Sequence, residues 1–324
     1  MTMQATALAH PNIAFIKYWG LRDEALRLPA NDSLSMNIGC LNTTTSVTFD
    51  DHFKADVLVI NKQQVTGKAL VRVSRFLDRL RQKAKQPLFA AVESTNNFPI
   101  GAGLASSASA FAALVVAGSG ALGLSLTEKE LSSLARFGSG SACRSIPGGF
   151  VEWRTNQASD ESYAFSIAPH NHWQLVDCIV ILSKAHKVVG SEAGMRSAVT
   201  SPLQNARIAD TPRRLALCRS AILQRDFGAL ARVTELDSNM MHAVMMTSDP
   251  PLFYWHPASL EIIKAIQTWQ IEGLTATYTL DAGPNVHVIC PQENMSEVLS
   301  RLREFPGVID ILKGMPAGPA RLLP

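Results

Sequence analysis

The segment Asn97-Phe98-Pro99-Ile100-Gly101-Ala102-Gly103-Leu104-Ala105-Ser106-Ser107-Ala108-Ser109-Ala110 decides how the rest of the chain is interpreted. Two glycines and several small residues run without a break into an apolar, alanine-rich segment that ends at about Gly118. Glycine lets the backbone approach a ligand closely, and Ser106 and Ser107 stand where a helix would begin. The N-terminus of a helix offers unpaired N–H groups and a partial positive charge, which suit phosphate. The segment therefore predicts a phosphate-binding loop that leads into a buried helix.

The same segment has a plainer interpretation. A glycine, alanine and serine stretch before an alanine-rich helix is also typical of a tight turn and close packing. It is not a Walker-type P-loop, because no Gly-Lys-Ser/Thr follows, and it does not match Gly-x-Gly-x-x-Gly. Both interpretations stay open on this segment alone, so residues elsewhere in the chain must decide between them.

Composition limits the class of protein. The chain has 324 residues, of which 47% are hydrophobic and 18% charged, with a net charge of +3. This is a globular composition, large enough for two lobes, and its charge suits an enzyme with a small anionic substrate rather than a nucleic-acid or membrane-binding protein. The five cysteines form no C-x-x-C pair, so we expect reduced thiols in a cytoplasmic protein, without a disulfide framework or zinc site.

Periodicity predicts strands in the first part of the chain and mostly helices in the second. Alternation indicates a half-buried strand over Ser33–Ile38. The predicted strands are Ala5–Ala9, Ile13–Trp19, Ser33–Ile38, Thr43–Phe49, Val57–Asn61, Phe89–Ser94, Phe150–Trp153, Leu175–Leu182, Ala276–Leu280 and Asn285–Cys290. The predicted helices, besides the buried one, are Leu70–Lys83, one capped by Thr127 and Glu130, Ser191–Thr200, Arg213–Gln224, Phe227–Met246, Pro257–Glu272 and Glu293–Phe305. This order predicts an α+β protein with two lobes, residues 1–184 and 185–324, around a shared cleft.

Four polar stretches are candidates for chemistry. They are Lys17-Tyr18 with Arg22, the glycine and serine loop, the cluster Ser139, Ser141 and Arg144, and Asp281 before Ala-Gly-Pro. Each has a structural alternative: a solvated lysine, a tight turn, a helix cap with a surface arginine, and an Asx-turn aspartate. Together, however, an anion loop, a serine and arginine cluster, a lysine and a strand-end aspartate indicate phosphoryl transfer to an anionic substrate.

The motifs resemble those of mevalonate diphosphate decarboxylases, within the wider GHMP kinase superfamily. The resemblance is carried by Pro11–Gly20, Asn96–Ala108, Gly138–Ser145 with Gly148-Gly149, and Asp281–Asn285. These motifs follow the family's order and cover nearly the whole chain. The resemblance implies a two-lobed GHMP-type fold that phosphorylates the C3 hydroxyl of a 5-phosphorylated mevalonate, after which phosphate and CO₂ leave to give an isopentenyl product.

The resemblance also assigns roles to individual residues. Asp281 would orient or deprotonate the C3 hydroxyl beside Lys17, while Tyr18, Ser139, Ser141 and Arg144 would bind the substrate. ATP would lie over Gly101, Gly103, Leu104, Ala105, Ser106 and Ser107, with Mg²⁺ held at Ser107. A homodimer in the cytoplasm is the family expectation for assembly and location.

One departure from the family pattern concerns the substrate. The family usually has a lysine in Tyr-Trp-Gly-Lys, where this chain has Leu21. Leucine lacks the charge that would help to neutralise a 5-diphosphate, so we expect a preference for mevalonate 5-phosphate and an isopentenyl phosphate product. Arg22 could supply the missing charge instead, which keeps mevalonate 5-diphosphate as an alternative.

Two further alternatives remain from the sequence. A kinase that stops at the 3-phosphate resembles this family but lacks the Lys17 and Asp281 pair. A non-catalytic GHMP-fold binding protein would not need Arg144 and Asp281 together.

Overall fold

A computed structural model of the chain describes residues 2–98, 106–155, 161–185 and 189–324. Strands and α-helices in these ranges are numbered in chain order. The strands are β1 (Met3–Ala9), β2 (Asn12–Ile16), β3 (Leu21–Asp23), β4 (Leu28–Pro29), β5 (Ser33–Asn37), β6 (Thr43–Asp50), β7 (Val57–Ile60), β8 (Gln63–Gln64), β9 (Phe89–Asn96), β10 (Phe150–Arg154), β11 (Tyr163–Ala168), β12 (Leu175–Ile181), β13 (Thr277–Thr279), β14 (Val286–Pro291), β15 (Asp310–Gly314) and β16 (Arg321–Leu322). The helices are α1 (Lys68–Ala84), α2 (Ser106–Ala121), α3 (Glu128–Gly138), α4 (Ser191–Ser197), α5 (Gln204–Gln224), α6 (Phe227–Met246), α7 (Pro257–Ile271) and α8 (Met295–Arg303). A short 3₁₀ helix covers Gly140–Ser145.

Of the four sheets in the described residues, three organise the molecule, and the fourth is the pair β3-β4. The first has the strand order β16-β1-β6-β9-β7-β8, the second β11-β10-β5-β2, and the third β13-β14-β12-β15. Helix α2 packs on the first sheet, where Ala112, Val115 and Phe111 join a core with Val47 and Phe49. The third sheet shares a separate core with α7 and α8. The α+β prediction is therefore confirmed, and so are the buried helix α2 and the capping box of Thr127 and Glu130.

The third sheet combines β12 with three strands from the end of the chain, and β16 returns to the first sheet beside β1. The two halves are thus joined through strand pairing as well as through the chain itself. The boundary at residue 184 stays a prediction. No helix in the described ranges is both long and apolar enough to cross a bilayer.

Strand β5 was predicted as half-buried, and that prediction is wrong, because all five of its residues are buried. Leu34 and Met36 pack into a core with residues of α5. Ser33 and Ser35 point the other way and contact the side chain of Arg144 on the 3₁₀ helix. The alternation therefore separates an apolar face from a buried polar face, not from solvent.

Helix α5 begins nine residues earlier than predicted, at Gln204, and contains Pro212. Proline is unfavourable inside a helix because it has no N–H to donate. The first two turns form nevertheless, because their side chains are fixed by tertiary contacts: Gln204 Nε2 donates to the Trp19 carbonyl at 2.9 Å, and Arg207 Nη2 donates to that of Lys17 at 2.8 Å. Strand β11 was not predicted at all.

Candidate active site

A cavity of about 460 Å³ opens where the two halves of the chain meet. The end of β2, the start of α2, the 3₁₀ helix, α4 and the turn after β13 all contribute to its wall. All described residues to which the sequence assigned a catalytic, substrate-binding or ATP-binding role lie on it: Lys17, Tyr18, Ser106, Ser107, Ser139, Ser141, Arg144 and Asp281. The remaining nominated residues, Gly101, Gly103, Leu104 and Ala105, lie outside the described residues.

Lys17 and Asp281 form an ion pair across the cleft, with Lys17 Nζ at 2.7 Å from Asp281 Oδ1. The lysine side chain is only 2% exposed, whereas that of the aspartate is 32% exposed toward the cavity. The solvated-lysine alternative is therefore wrong. A carboxylate that is paired with a buried ammonium and partly exposed to the cavity is suited to orient or deprotonate a hydroxyl group.

Arg144 is buried and bound entirely by neutral groups. Its guanidinium donates to Ser33 Oγ at 2.7 Å, Ser35 Oγ at 3.1 Å and Asn12 Oδ1 at 3.2 Å. Burial lowers the pKa of Arg144, but an arginine still stays charged near neutral pH. No ion pair among the described residues joins Arg144 to a carboxylate, so its positive charge is available to an anionic ligand. The surface-arginine alternative is wrong.

Tyr18 lines the cavity between the 3₁₀ helix and Trp153. Its ring packs edge-on against Trp153, with ring centroids 4.8 Å apart. A Cβ at position 140 would lie 2.5 Å from the Tyr18 ring, so Gly140 is required for this close approach. Burial raises the pKa of Tyr18 above its ordinary value. The phenol is therefore neutral and can donate a hydrogen bond.

A row of hydroxyl groups connects the start of α2 to the 3₁₀ helix. Ser107 Oγ lies 3.2 Å from Ser139 Oγ, which lies 3.4 Å from Ser141 Oγ. Ser106 lines the cavity beside them at the first position of α2. Hydroxyl donors at the N-terminus of a helix suit phosphate oxygens, and a serine oxygen is a hard ligand that suits Mg²⁺.

The cavity rim, which we define as Arg27, Arg72 and Glu192, was missed by sequence analysis. Glu192 Oε1 accepts from Arg27 Nη2 at 2.9 Å, and its other oxygen lies 3.8 Å from Arg72 Nη1. Arg72 lies on the predicted helix Leu70–Lys83, and nothing in the spacing of α1 distinguishes it from the neighbouring exposed arginines. Glu192 directly follows Gly190-Ser191, and this pair of small residues is the sequence signal that could have identified it.

Neither Leu21 nor Arg22 is among the described residues that line the cavity. Both lie on β3, which pairs with β4 beside the cleft. Arg27, at the other side of this hairpin, reaches the rim instead. Arg27 is therefore the arginine placed to supply the charge that was expected from Arg22.

Comparison with known proteins agrees with this geometry. A family model described as diphosphomevalonate decarboxylase-like N-terminal domain matches residues 9–164, and one described as mevalonate 5-diphosphate decarboxylase C-terminal domain matches residues 178–315. Similar curated proteins include the diphosphomevalonate decarboxylases of Ganoderma lucidum (39% identical, over 93% of this chain and 82% of the relative) and Homo sapiens (38%, over 98% and 85%).

The fold is also shared with solved structures. Mevalonate diphosphate decarboxylase from Staphylococcus aureus superposes with a TM-score of 0.95 at 36% identity, covering 100% of this chain and 99% of that one. A mevalonate diphosphate decarboxylase from Enterococcus faecalis gives a TM-score of 0.93 at 36% identity, with the same coverage. The resemblance found in the sequence and the two-lobed GHMP-type fold are thereby confirmed, and the chain belongs to the diphosphomevalonate decarboxylase family.

Proposed function

We propose that this protein catalyses the ATP-dependent decarboxylation of a 5-phosphorylated mevalonate. The observation that carries the proposal is the Lys17 and Asp281 pair, which faces a cavity that is also lined by Arg144, a guanidinium hydrogen-bonded by neutral groups. The names of the two curated relatives given above, both diphosphomevalonate decarboxylases, support the reaction class.

ATP and Mg²⁺ would lie at the start of α2. A solved neighbour, 37% identical with a TM-score of 0.93, is a complex with MVAPP, AMPPCP and magnesium. In this chain Ser106 and Ser107 would hold the phosphates, and Ser107 the metal, together with the preceding Gly101–Ala105 segment. Bound Mg²⁺ neutralises developing charge on the transferred phosphoryl group.

Asp281 would orient the C3 hydroxyl and accept its proton as the oxygen attacks the γ-phosphorus of ATP and ADP leaves. Lys17 Nζ, 2.7 Å from Asp281 Oδ1, would hold the carboxylate in position for that transfer. In the second step the C3–O bond breaks and phosphate leaves. The electrons of the C1–C2 bond then form the C2=C3 double bond, and C1 leaves as CO₂. Arg144, with Tyr18, Ser139 and Ser141, would bind the substrate's anionic groups.

The rim supports the 5-monophosphate as the preferred substrate. Among the described residues that line the cavity, Glu192 is the only carboxylate besides Asp281, and it already engages Arg27 and Arg72. A second phosphate would bring further negative charge toward this carboxylate. It would also have to compete for arginines that are already paired. The names of the relatives favour the alternative, mevalonate 5-diphosphate.

The deciding experiment measures ADP and CO₂ release with ATP and Mg²⁺ on the 5-phosphate and the 5-diphosphate side by side, with products identified by mass. A higher kcat/KM for the 5-phosphate supports our proposal, and a higher value for the 5-diphosphate contradicts it. ADP release without CO₂ would identify a 3-kinase, and absence of ATP binding would identify a non-catalytic protein. Homodimerisation and a cytoplasmic location stay predictions, and light scattering after gel filtration measures the first.

A further inference from the structure

Helix α6 carries two consecutive polar residues, Asp237 and Ser238, that are both fully buried. Their side chains bind the backbone on the two sides of the active site. Asp237 Oδ2 accepts the Lys17 N–H at 2.6 Å, and Ser238 Oγ accepts the Leu280 N–H at 3.1 Å. Leu280 directly precedes Asp281, so neighbouring residues of one helix fix the two backbone segments that carry the Lys17 and Asp281 pair.

The backbone of Lys17 depends on side chains for its hydrogen bonds. Strand β2 ends at Ile16, and its register with β5 shifts between Ala14 and Ile16. The carbonyl of Lys17 accepts from Arg207 Nη2 at 2.8 Å and from Asn31 Nδ2 at 2.9 Å. The N–H of Lys17 donates to the carboxylate of Asp237. The peptide groups of Lys17 are thus held by side chains of α5 and α6 and by Asn31.

Asp237 is itself held in place by charge. Its Oδ1 accepts from Arg214 Nε at 2.8 Å, and Arg207 Nη2 lies 3.9 Å from its Oδ2. All three side chains have no exposed surface. Breaking a buried pair of this kind leaves an uncompensated charge, so the arrangement has few alternatives with similar energy.

We propose that Asp237 and Ser238 are positioning residues that set the distance between Lys17 Nζ and Asp281 Oδ1. The two reacting side chains are 264 positions apart in the chain and come from different halves of the molecule. Among the described helices and strands, α6 is the one whose neighbouring side chains bind both backbone segments. Because a misplacement of about 1 Å can lower a rate by about 100-fold, a loosened attachment on either side slows the chemical step. This inference rests on the proposed function, since it assumes that the pair reacts.

The test is Ser238→Ala, which removes the acceptor of the Leu280 N–H. The matched control is Ser201→Ala, because Ser201 is also buried and its Oγ accepts the Leu203 N–H at 3.2 Å, outside the cavity wall. We expect Ser238→Ala to lower kcat at least about tenfold with little change in either KM, because the substrate-binding side chains keep their places. Ser201→Ala is expected to keep the wild-type kcat. Thermal unfolding of both variants shows whether their folds are equally intact.

A second pair of variants makes the test independent of Ser238. Asp237→Asn is compared with Asp210→Asn, because Asp210 also pairs with Arg214, at 2.7 Å, but is not bonded to Lys17. A fall in kcat with Asp237→Asn alone supports the proposal. Wild-type kcat in both Ser238→Ala and Asp237→Asn, or equal losses in each variant and its control, overturns it.

Lys17→Met and Asp281→Asn are measured in the same assay. If these two variants keep wild-type turnover, the proposed function has failed. If they lose turnover while the α6 variants do not, only the positioning role has failed.

Discussion

The buried end of the cavity, defined by Lys17, Arg144 and Asp281, and the rim, Arg27, Arg72 and Glu192, contain the same types of charged group in different arrangements. Each end has two cations and one carboxylate. At the buried end the carboxylate pairs with one cation and leaves Arg144 bound only by neutral groups. At the rim one carboxylate contacts both arginines.

The difference concerns where positive charge is available. Taking a charge out of water is costly, and Asn12, Ser33 and Ser35 replace the water around Arg144 without neutralising it. An anionic group that reaches Arg144 therefore gains a strong, charge-assisted interaction. At the rim the same gain would require a ligand to displace Glu192. From this comparison we propose that the site recruits anions at its buried end and limits them at its rim.

The largest effect should follow removal of the proton acceptor at the buried end. Asp281→Asn keeps the shape of the side chain but removes the charge that Lys17 neutralises. We expect kcat to fall by about 10²–10⁴, the usual contribution of general acid–base catalysis. Single-turnover formation of ADP measures the loss. Wild-type kcat in this variant would show that the buried end is not where proton transfer occurs.

A smaller loss is expected when Arg144 is altered. Arg144→Lys keeps the charge but cannot donate to Ser33, Ser35 and Asn12 together, so the cation loses its orientation. Hydrogen bonds to charged groups contribute about 1.5–3 kcal/mol each, so we expect kcat/KM to fall about tenfold or more. Arg219→Lys, which alters a guanidinium paired with Glu152 away from the cavity, serves as the matched control. Equal losses in both variants would remove the distinction between Arg144 and an ordinary structural arginine.

Glu192→Gln tests the rim. The variant removes the carboxylate charge that opposes a second phosphate and frees Arg27 and Arg72. We expect the ratio of kcat/KM for the 5-diphosphate to that for the 5-phosphate to rise about tenfold, which corresponds to about 1.4 kcal/mol.

The control for Glu192→Gln is Glu24→Gln. Glu24 and Glu192 both pair with Arg196, and Glu192 Oε1 lies 3.4 Å from Arg196 Nη2. Glu24, however, does not line the cavity. A ratio that moves equally in the two variants, or in neither, would contradict a role for the rim in selecting the substrate.

Beneath the buried end we expect an effect on stability rather than on activity. Burial, and then the charge of Lys17, lower the pKa of His242 from 6.5 to about 3. The unfolded chain therefore binds a proton at this residue between about pH 6.5 and 3 that the folded protein does not. His242 accordingly lowers the free energy of unfolding as pH falls below 6.5, by at most about 1.4 kcal/mol per pH unit.

His242→Gln should flatten the dependence of that free energy on pH between 6.5 and 4, measured by denaturant unfolding. His170→Gln, at an exposed position, should leave the slope unchanged. An unchanged slope in His242→Gln would mean that this histidine is not held neutral below the active site.

Several features followed from the sequence alone because their causes are local. Three features depend only on neighbouring residues, and the structure contains each of them. They are the capping box of Thr127 and Glu130, the apolar helix α2 and the strand-rich first half. The family motifs likewise identified Lys17, Tyr18, Arg144 and Asp281, and all four line one cavity. These residues could be identified because each motif has a specific order of residue types along the chain.

Only the tertiary structure decided which charges meet. Helix α5 continues through Pro212 because Gln204 and Arg207 donate hydrogen bonds to the carbonyls of Trp19 and Lys17. Helix propensity does not encode such contacts. Arg72 and Glu192 look like ordinary surface residues in the sequence, and they meet across the rim because α1 and α4 pack on either side of the cleft. The free charge of Arg144, likewise, depends on a polar strand face that the alternation had assigned to solvent. Pairing between distant charges depends on how the elements fold together, so the chain's local patterns could not determine it.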